Sequence, residues 1–196
     1  FFAGSSEMFG ETQTGAKINH VQNPVSPYAT AKQTAFNLVK LYREVFNLNC
    51  VTGVLFNHES PLRDNKFVTH KIITEAIKCS QDSSLRLKLG NLEIIRDWGW
   101  AEEYVQAMQK ITRAKNLKDY VICTGKPSKL ESFVEKTFQK LDLNWREHVI
   151  LDKSLFRTKE IMKSYGDPSE IRNDLKWSSK IFFDEIIEKL IESHIN

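Results

Sequence analysis

Tyr28 and Lys32 stand four residues apart behind a Ser26-Pro27 start signal, a spacing that puts both side chains on one face of a helix near its electropositive N-terminal end. A phenol with a pKa near ~10 is a poor base at neutral pH, but a neighbouring ammonium and a helix N-terminus both favour phenolate, the form that takes the proton of an alcohol during hydride transfer. Tyr-x-x-x-Lys is common by chance, so the pair counts through its company. Ser5-Ser6-Glu7 follows what reads as a strand end at Phe1-Phe2-Ala3, and Asn57-His58-Glu59-Ser60-Pro61 is a sudden polar cluster after the apolar run 50–56. These strand and helix ends are expected to face one crevice, where open α/β sheets place their chemistry. No two histidines sit at metal-ligand spacing, so no metal site is expected. His58 reads as a ligand contact, His20, His70, His148 and His194 as solvated, and Trp98, Trp145 and Trp177 as packing.

The elements that must position these groups follow from periodicity. Ser26 as N-cap and Pro27 at the first helical position open a helix that carries Ala31, Ala35, Leu38, Val39, Tyr42, Val45 and Phe46 at helical spacing. Residues 50–56 are β-branched and apolar without alternation, which suits a strand buried on both faces of a parallel sheet. The spacing predicts a helix over 67–79, a hairpin-like stretch over 85–96 around Gly90-Asn91, a helix over 101–112 and a strand over 120–124. Ser128-Lys129-Leu130-Glu131 has the form of a capping box opening a helix to 141. Asp167-Pro168-Ser169-Glu170 repeats that start signal, and a last helix over 184–193 buries Ile186, Ile187, Leu190 and Ile191 on one stripe. The expected fold is α/β, the C-terminal part of a Rossmann-like parallel sheet plus a smaller α/β lobe. Residues 1–60 would complete the sheet domain with its catalytic residues, and 61–196 would form mainly a substrate-binding lobe, with the chain possibly crossing back to the sheet.

With 196 residues, 41% hydrophobic and 27% charged, the chain can bury a sizeable core, which excludes a disordered tail, a fibrous repeat or a disulfide scaffold. A net charge of +3 with signs alternating along the sequence gives no basic block for nucleic acid, so any anion would be met by a few placed cations. Three cysteines, Cys50, Cys79 and Cys123, lie far apart without a CxxC pair and fit a reducing cytoplasm. No apolar run reaches the ~18 residues of a membrane span. The chain opens without Met on what reads as the tail of a strand, and an N-terminal part is expected upstream.

Several motifs in order resemble one family. Gly4-Ser5-Ser6-Glu7-Met8-Phe9-Gly10, Ser26-Pro27-Tyr28 with Lys32, Phe56-Asn57-His58-Glu59-Ser60-Pro61, Phe67-Val68-Thr69 with Lys71, Leu89-Gly90-Asn91-Leu92, and Arg96-Asp97-Trp98-Gly99 look like the GDP-mannose 4,6-dehydratases of the extended short-chain dehydrogenase/reductase superfamily. Phe156-Arg157 with Glu160, Gly166-Asp167-Pro168 and Leu175-Lys176-Trp177 continue the likeness to the end of the chain. The Gly-rich dinucleotide fingerprint is missing, because the eight glycines never take that spacing.

The resemblance implies an internal redox elimination, in which hydride leaves C4 of the mannose of GDP-mannose for NADP, water is lost across C5 and C6, and hydride returns to C6. It implies Tyr28 as base for the C4 hydroxyl, Lys32 as the group that lowers the Tyr28 pKa and meets the cofactor ribose, Glu7 as base at C5, and Ser5, where the family carries Thr, as hydrogen-bond partner of the C4 oxygen. His58 and Arg63 fall at cofactor contacts, and Asn57, Lys71, Arg96, Arg157 and Glu160 at sugar-nucleotide contacts. Leu62, Asp64 and Thr158 depart from the family's Arg, Gly and Pro, and Trp100 from a His. A homo-oligomer, dimer or tetramer, and a place on the route to GDP-fucose are further implications. Activity is expected only together with an N-terminal cofactor half. The alternatives are another nucleotide-sugar dehydratase or epimerase, and a non-catalytic truncated paralogue.

Overall fold

In chain order the strands are β1 (Phe2–Ser5), β2 (Thr52–Leu55), β3 (Asn57–Glu59), β4 (Leu87–Leu89), β5 (Ile95–Trp100), β6 (Tyr120–Ile122), β7 (Pro127–Lys129), β8 (Val149–Leu151) and β9 (Lys163–Ser164). The helices are α1 (Pro27–Phe46), α2 (Val68–Gln81), α3 (Ala101–Thr112), α4 (Leu130–Gln139), α5 (Trp145–His148), α6 (Ser169–Leu175) and α7 (Phe183–Ile195). The computed structural model describes residues 1–195. β1, β2 and β6 form a parallel sheet in that order, with Gly4 beside Val54 and Val54 beside Val121. Successive side chains alternate between its faces. Val54, Phe56, Val121 and Cys123 pack with Phe36 of α1 and with Met8 and Phe9, while Val51, Tyr120 and Ile122 pack with α3 and with Ile171 and Trp177 on the other side. Apolar cover on both faces is why residues 50–56 read without alternation.

Beyond Phe56 the same extended segment leaves this sheet. β3 pairs in parallel with β5, which also takes β7 antiparallel and β9 parallel, and a separate β4–β8 pair lies alongside. These strands and α2, α4 and α7 enclose the largest core, with Ile72, Leu89, Trp98, Phe133 and Ile187 in its interior. The apolar stripe of α7 is buried as its periodicity predicts.

Two local expectations fail. The 85–96 stretch is no hairpin: β4 pairs with β8 and β5 with β3, β7 and β9. The Asn91 side chain accepts the Glu93 N–H at 2.9 Å, an Asx turn that sends the chain from one strand pair into another sheet. Nor does Ser128 cap a helix, because it lies in β7 opposite Arg96. The N–H groups of Leu130 and Glu131 donate to the Ile94 and Leu92 carbonyls at 2.9 and 3.0 Å. The first turn of α4 therefore has backbone acceptors and needs no side-chain cap. His70 and His148 are also buried, not solvated, His148 being stacked on Phe138.

Candidate active site

The parallel register leaves the C-terminal ends of β1 and β2 on one edge, and β3 continues from there. Along that edge lies a cleft of about 960 Å³, bounded on its far side by α2, β5 and the segment 155–164. All eleven residues singled out in the sequence line it: Ser5, Glu7, Tyr28 and Lys32 on the β1–α1 side, Asn57, His58 and Arg63 after β2, and Lys71, Arg96, Arg157 and Glu160 opposite.

Local structure fixes the first group. The Ser5 side chain accepts the Glu7 N–H at 3.3 Å as N-cap of a 3₁₀ turn over Ser6–Phe9. Its hydroxyl hydrogen stays free to donate elsewhere. Ser26 Oγ accepts the Ala29 N–H at 3.1 Å, which starts α1 so that Tyr28 and Lys32 share a face. Lys32 Nζ donates to the Ala3 carbonyl at 2.8 Å and lies 5.7 Å from the centre of the Tyr28 ring. The far end of α1 is tied down by Arg43, whose fork meets both oxygens of Asp119 at 2.8 and 2.6 Å, while Asp119 also accepts the Thr52 N–H of β2. The tyrosine is thus carried on a helix fixed at both ends against the sheet that carries Ser5.

At the β2–β3 exit, the His58 ring packs at a tilt against the fully buried Tyr104, with centroids 4.9 Å apart, and its Nδ1–H donates to the Phe56 carbonyl at 2.8 Å. Nε2 then holds the lone pair. Burial, followed by the charge of Arg63, keeps this imidazole below the usual histidine range, against the opposing pull of the Phe56 carbonyl. Arg63 Nη1 donates to the His58 carbonyl at 2.6 Å. On the opposite wall, Arg96 Nη2 lies 3.5 Å from Glu160 Oε1, and burial lowers the guanidinium pKa against the pull of that carboxylate. Lys71 Nζ donates to the Lys88 carbonyl at 2.7 Å, so one of its three N–H groups is already engaged and two remain for a ligand. Glu59 and Thr69, also in the cleft lining, were not singled out as site residues. Glu59 stands in the same polar cluster as His58, but nothing in the sequence separates an inward-facing Glu from an ordinary loop carboxylate. Lys66 and Lys159 line the cleft too.

The family model described as GDP-mannose 4,6 dehydratase matches residues 1–190. Among similar proteins, GDP-mannose 4,6 dehydratase 1 of Arabidopsis thaliana is 36% identical over 193 residues, covering 98% of this chain and 54% of its own length. GDP-mannose 4,6 dehydratase of Homo sapiens is 33% identical over 211 residues, covering 98% and 57%. The chain spans about half the length of the curated relatives it matches. Among solved structures it resembles RMD from Pseudomonas aeruginosa complexed with NADPH, with a TM-score of 0.88 at 17% identity over 97% of this chain and 64% of that one. It also resembles dTDP-glucose 4,6-dehydratase from Bacillus anthracis in complex with NAD, with a TM-score of 0.86 at 15% identity over 98% and 60%. These likenesses establish a Rossmann-like α/β fold. The family match runs through both walls of the cleft, from Ser5 to Glu160, and on that basis the chain belongs to the GDP-mannose 4,6 dehydratase family.

Proposed function

We propose that the polypeptide carrying these residues is an NADP-dependent hydro-lyase that converts GDP-mannose to GDP-4-keto-6-deoxymannose. The observation that carries the reading is the meeting of Ser5, Glu7, Tyr28 and Lys32 along the C-terminal edge of a parallel sheet, facing Lys71, Arg96 and Arg157 across one cleft. The donor set fits a dinucleotide: an ammonium beside the tyrosine, an imidazole lone pair, and the Arg63 guanidinium. Lys32, His58 and Arg63 would hold it, and when bound it supplies the hydride acceptor and donor. Tyr28 takes the proton of the C4 hydroxyl, and Ser5 donates to the C4 oxygen. Once C4 is a ketone the C5 proton is acidic, and Glu7 removes it and delivers a proton to the C6 oxygen as water departs. Arg96 and Arg157 meet the diphosphate, with Asn57 and Glu160 toward sugar or base. Glu7 beside Tyr28 favours dehydration over epimerisation at C4, which needs no base at C5.

This reading places the polypeptide in the cytoplasm, on a route to 6-deoxyhexoses such as GDP-fucose. It also makes the polypeptide a homo-oligomer, its contact formed by the exposed apolar side of α1. The test is turnover of GDP-mannose with NADP⁺ and a Glu7→Gln variant. Tyr28 and Lys32 are intact in that variant, so oxidation at C4 proceeds while elimination stops. NADPH absorbance should rise to at most one equivalent with little 4-keto-6-deoxy product. Product formation near the normal rate removes Glu7 from the C5 step.

A further inference from the structure

Glu59 ends β3 with its side chain fully buried, and its surroundings concern Arg63 more than itself. Oε2 accepts the Thr69 hydroxyl at 2.8 Å, which anchors the carboxylate to the first turn of α2. Arg63 Nε lies 3.4 Å from the same oxygen, an ion-pair distance without a formed hydrogen bond, since Arg63 Nε and Glu59 Oε1 both lack a partner. The Arg63 guanidinium is further held by the His58 carbonyl on Nη1 and by the Phe67 ring, 4.0 Å from its centroid. Nη2 makes no hydrogen bond among the described residues, and the residue lines the cleft. Arg63 itself sits in the turn between β3 and α2, where Leu62 is 95% exposed. Its direction is therefore set by side-chain and carbonyl contacts, not by regular backbone pairing.

We propose that Glu59 is a positioning residue for Arg63: the carboxylate, fixed by Thr69, aims the guanidinium so that its free edge meets a phosphate or diphosphate entering the cleft. The proposal rests on the reading of Arg63 as an anion contact. Its chemistry has a consequence in protons. Burial raises the Glu59 pKa, while Arg63, then Thr69, draw it down. An anion that neutralises Arg63 removes the larger of the two opposing effects, so anion binding and proton uptake at Glu59 are coupled.

The test uses the 196-residue chain with labelled arginine, inorganic pyrophosphate as probe, and the Arg63 Nε–H resonance as readout. In the unaltered chain, millimolar pyrophosphate should shift that resonance. Arg63→Ala and Glu59→Gln should each weaken pyrophosphate about tenfold, a factor equivalent to about 1.4 kcal/mol. The double variant should be no weaker than Arg63→Ala alone, because Glu59 acts only through Arg63. Proton uptake, measured in buffers of different ionisation enthalpy, should be smaller in Glu59→Gln than in the unaltered chain, the protons that pyrophosphate itself exchanges being common to both. Should Glu59→Gln not fold, Thr69→Val, which keeps the shape and removes the anchor, should itself weaken pyrophosphate severalfold. Unchanged affinity in Glu59→Gln, or in Thr69→Val where that stands in, overturns the positioning role, as does additivity in the double variant. An unmoved Arg63 resonance, or an Arg63→Ala variant that binds as the unaltered chain does, overturns instead the assignment of Arg63 to an anion, and the role of Glu59 with it.

Discussion

At the scale of single residues, the division of labour in the cleft follows from what each side chain is tied to. Lys32 is held by a strand carbonyl and Tyr28 by its place one turn earlier on α1. Under the function proposed above, Tyr28→Phe in the full-length polypeptide keeps the ring and removes only the oxygen, so turnover of GDP-mannose should fall by about 10²–10⁴, the usual worth of a positioned acid or base. Steady-state rates check this, and near-normal turnover ends the assignment. Histidine burial yields a prediction about stability. His58 and His70 are both held below the ordinary imidazole pKa, first by burial, and for His70 also by the neighbouring His194 and Arg63 against the pull of the Ser60 carbonyl. Near pH ~6.5 these two side chains bind protons in the unfolded chain that they refuse in the folded one, so their contribution to stability is full above that range and lost as pH falls below it. Denaturant midpoints at pH 7.5, 6.5 and 5.5, values spanning the ordinary imidazole pKa of about 6.5, should decline in that order. His70→Gln, whose amide can still donate to the Ser60 carbonyl, should show a shallower decline. An equal slope in both proteins would remove His70 from the acid response.

At the scale of elements, what was legible in the sequence is what local chemistry decides. Ser26-Pro27 and the spacing behind it specify α1, and with it the Tyr28–Lys32 pair; the unalternating run ending at Phe56 specifies a buried parallel strand. What was not legible is decided by partners distant in the chain. Gly90-Asn91 reads as a hairpin only while β8 and β9 are out of view, and Ser128 reads as a cap only while the Leu92 and Ile94 carbonyls are. Glu59 and His70 belong to the same class, polar residues turned inward by α2 and the Arg63 turn. The junction of the two sheets depends on another buried acid. Asp97 of β5 accepts from the Thr124 N–H and hydroxyl at 2.9 and 2.6 Å and from the Gly125 N–H at 2.8 Å. Two residues on in the same strand, a Cβ on Gly99 would stand 2.3 Å from Tyr104 Cε2, a ring buried on all sides and packed against His58. Gly99→Ala should therefore destabilise by about 1–3 kcal/mol, the common cost of overpacking a core, and should disturb His58 as well. A urea midpoint unchanged from that of the unaltered chain would contradict the packing described.

At the scale of the whole molecule, two surfaces bear on function. The cleft offers cations, but the eight glycines of the chain take no dinucleotide-fingerprint spacing, so the cradle of backbone N–H groups that grips a pyrophosphate at a helix N-terminus is absent from these residues. Calorimetry on the 196-residue chain should find NADP binding weak, and tight binding would contradict that account. The second surface is α1. Phe36 and Ala29 are buried against the sheet, while Leu38, Leu41, Tyr42, Val45 and Phe46 are 46–60% exposed. They follow one another at alternating intervals of three and one residues, so they form one continuous strip along the outer side of the helix. Monomeric proteins seldom leave contiguous apolar patches of more than a few hundred Å² in water, and a stable interface needs about 800 Å² per partner. A second copy laid on the same strip would bury both strips in one self-complementary contact, as two-fold symmetry requires. The 196-residue chain should therefore self-associate at micromolar concentration in sedimentation experiments. Leu41→Glu with Val45→Glu, which places two like charges in the middle of the strip, should shift it to monomer while leaving the thermal midpoint nearly unchanged at concentrations too low for association, since neither side chain is part of the core. A chain that sediments as a monomer before any substitution would show that α1 does not join two copies, and a double variant that still associates would move the contact to another face.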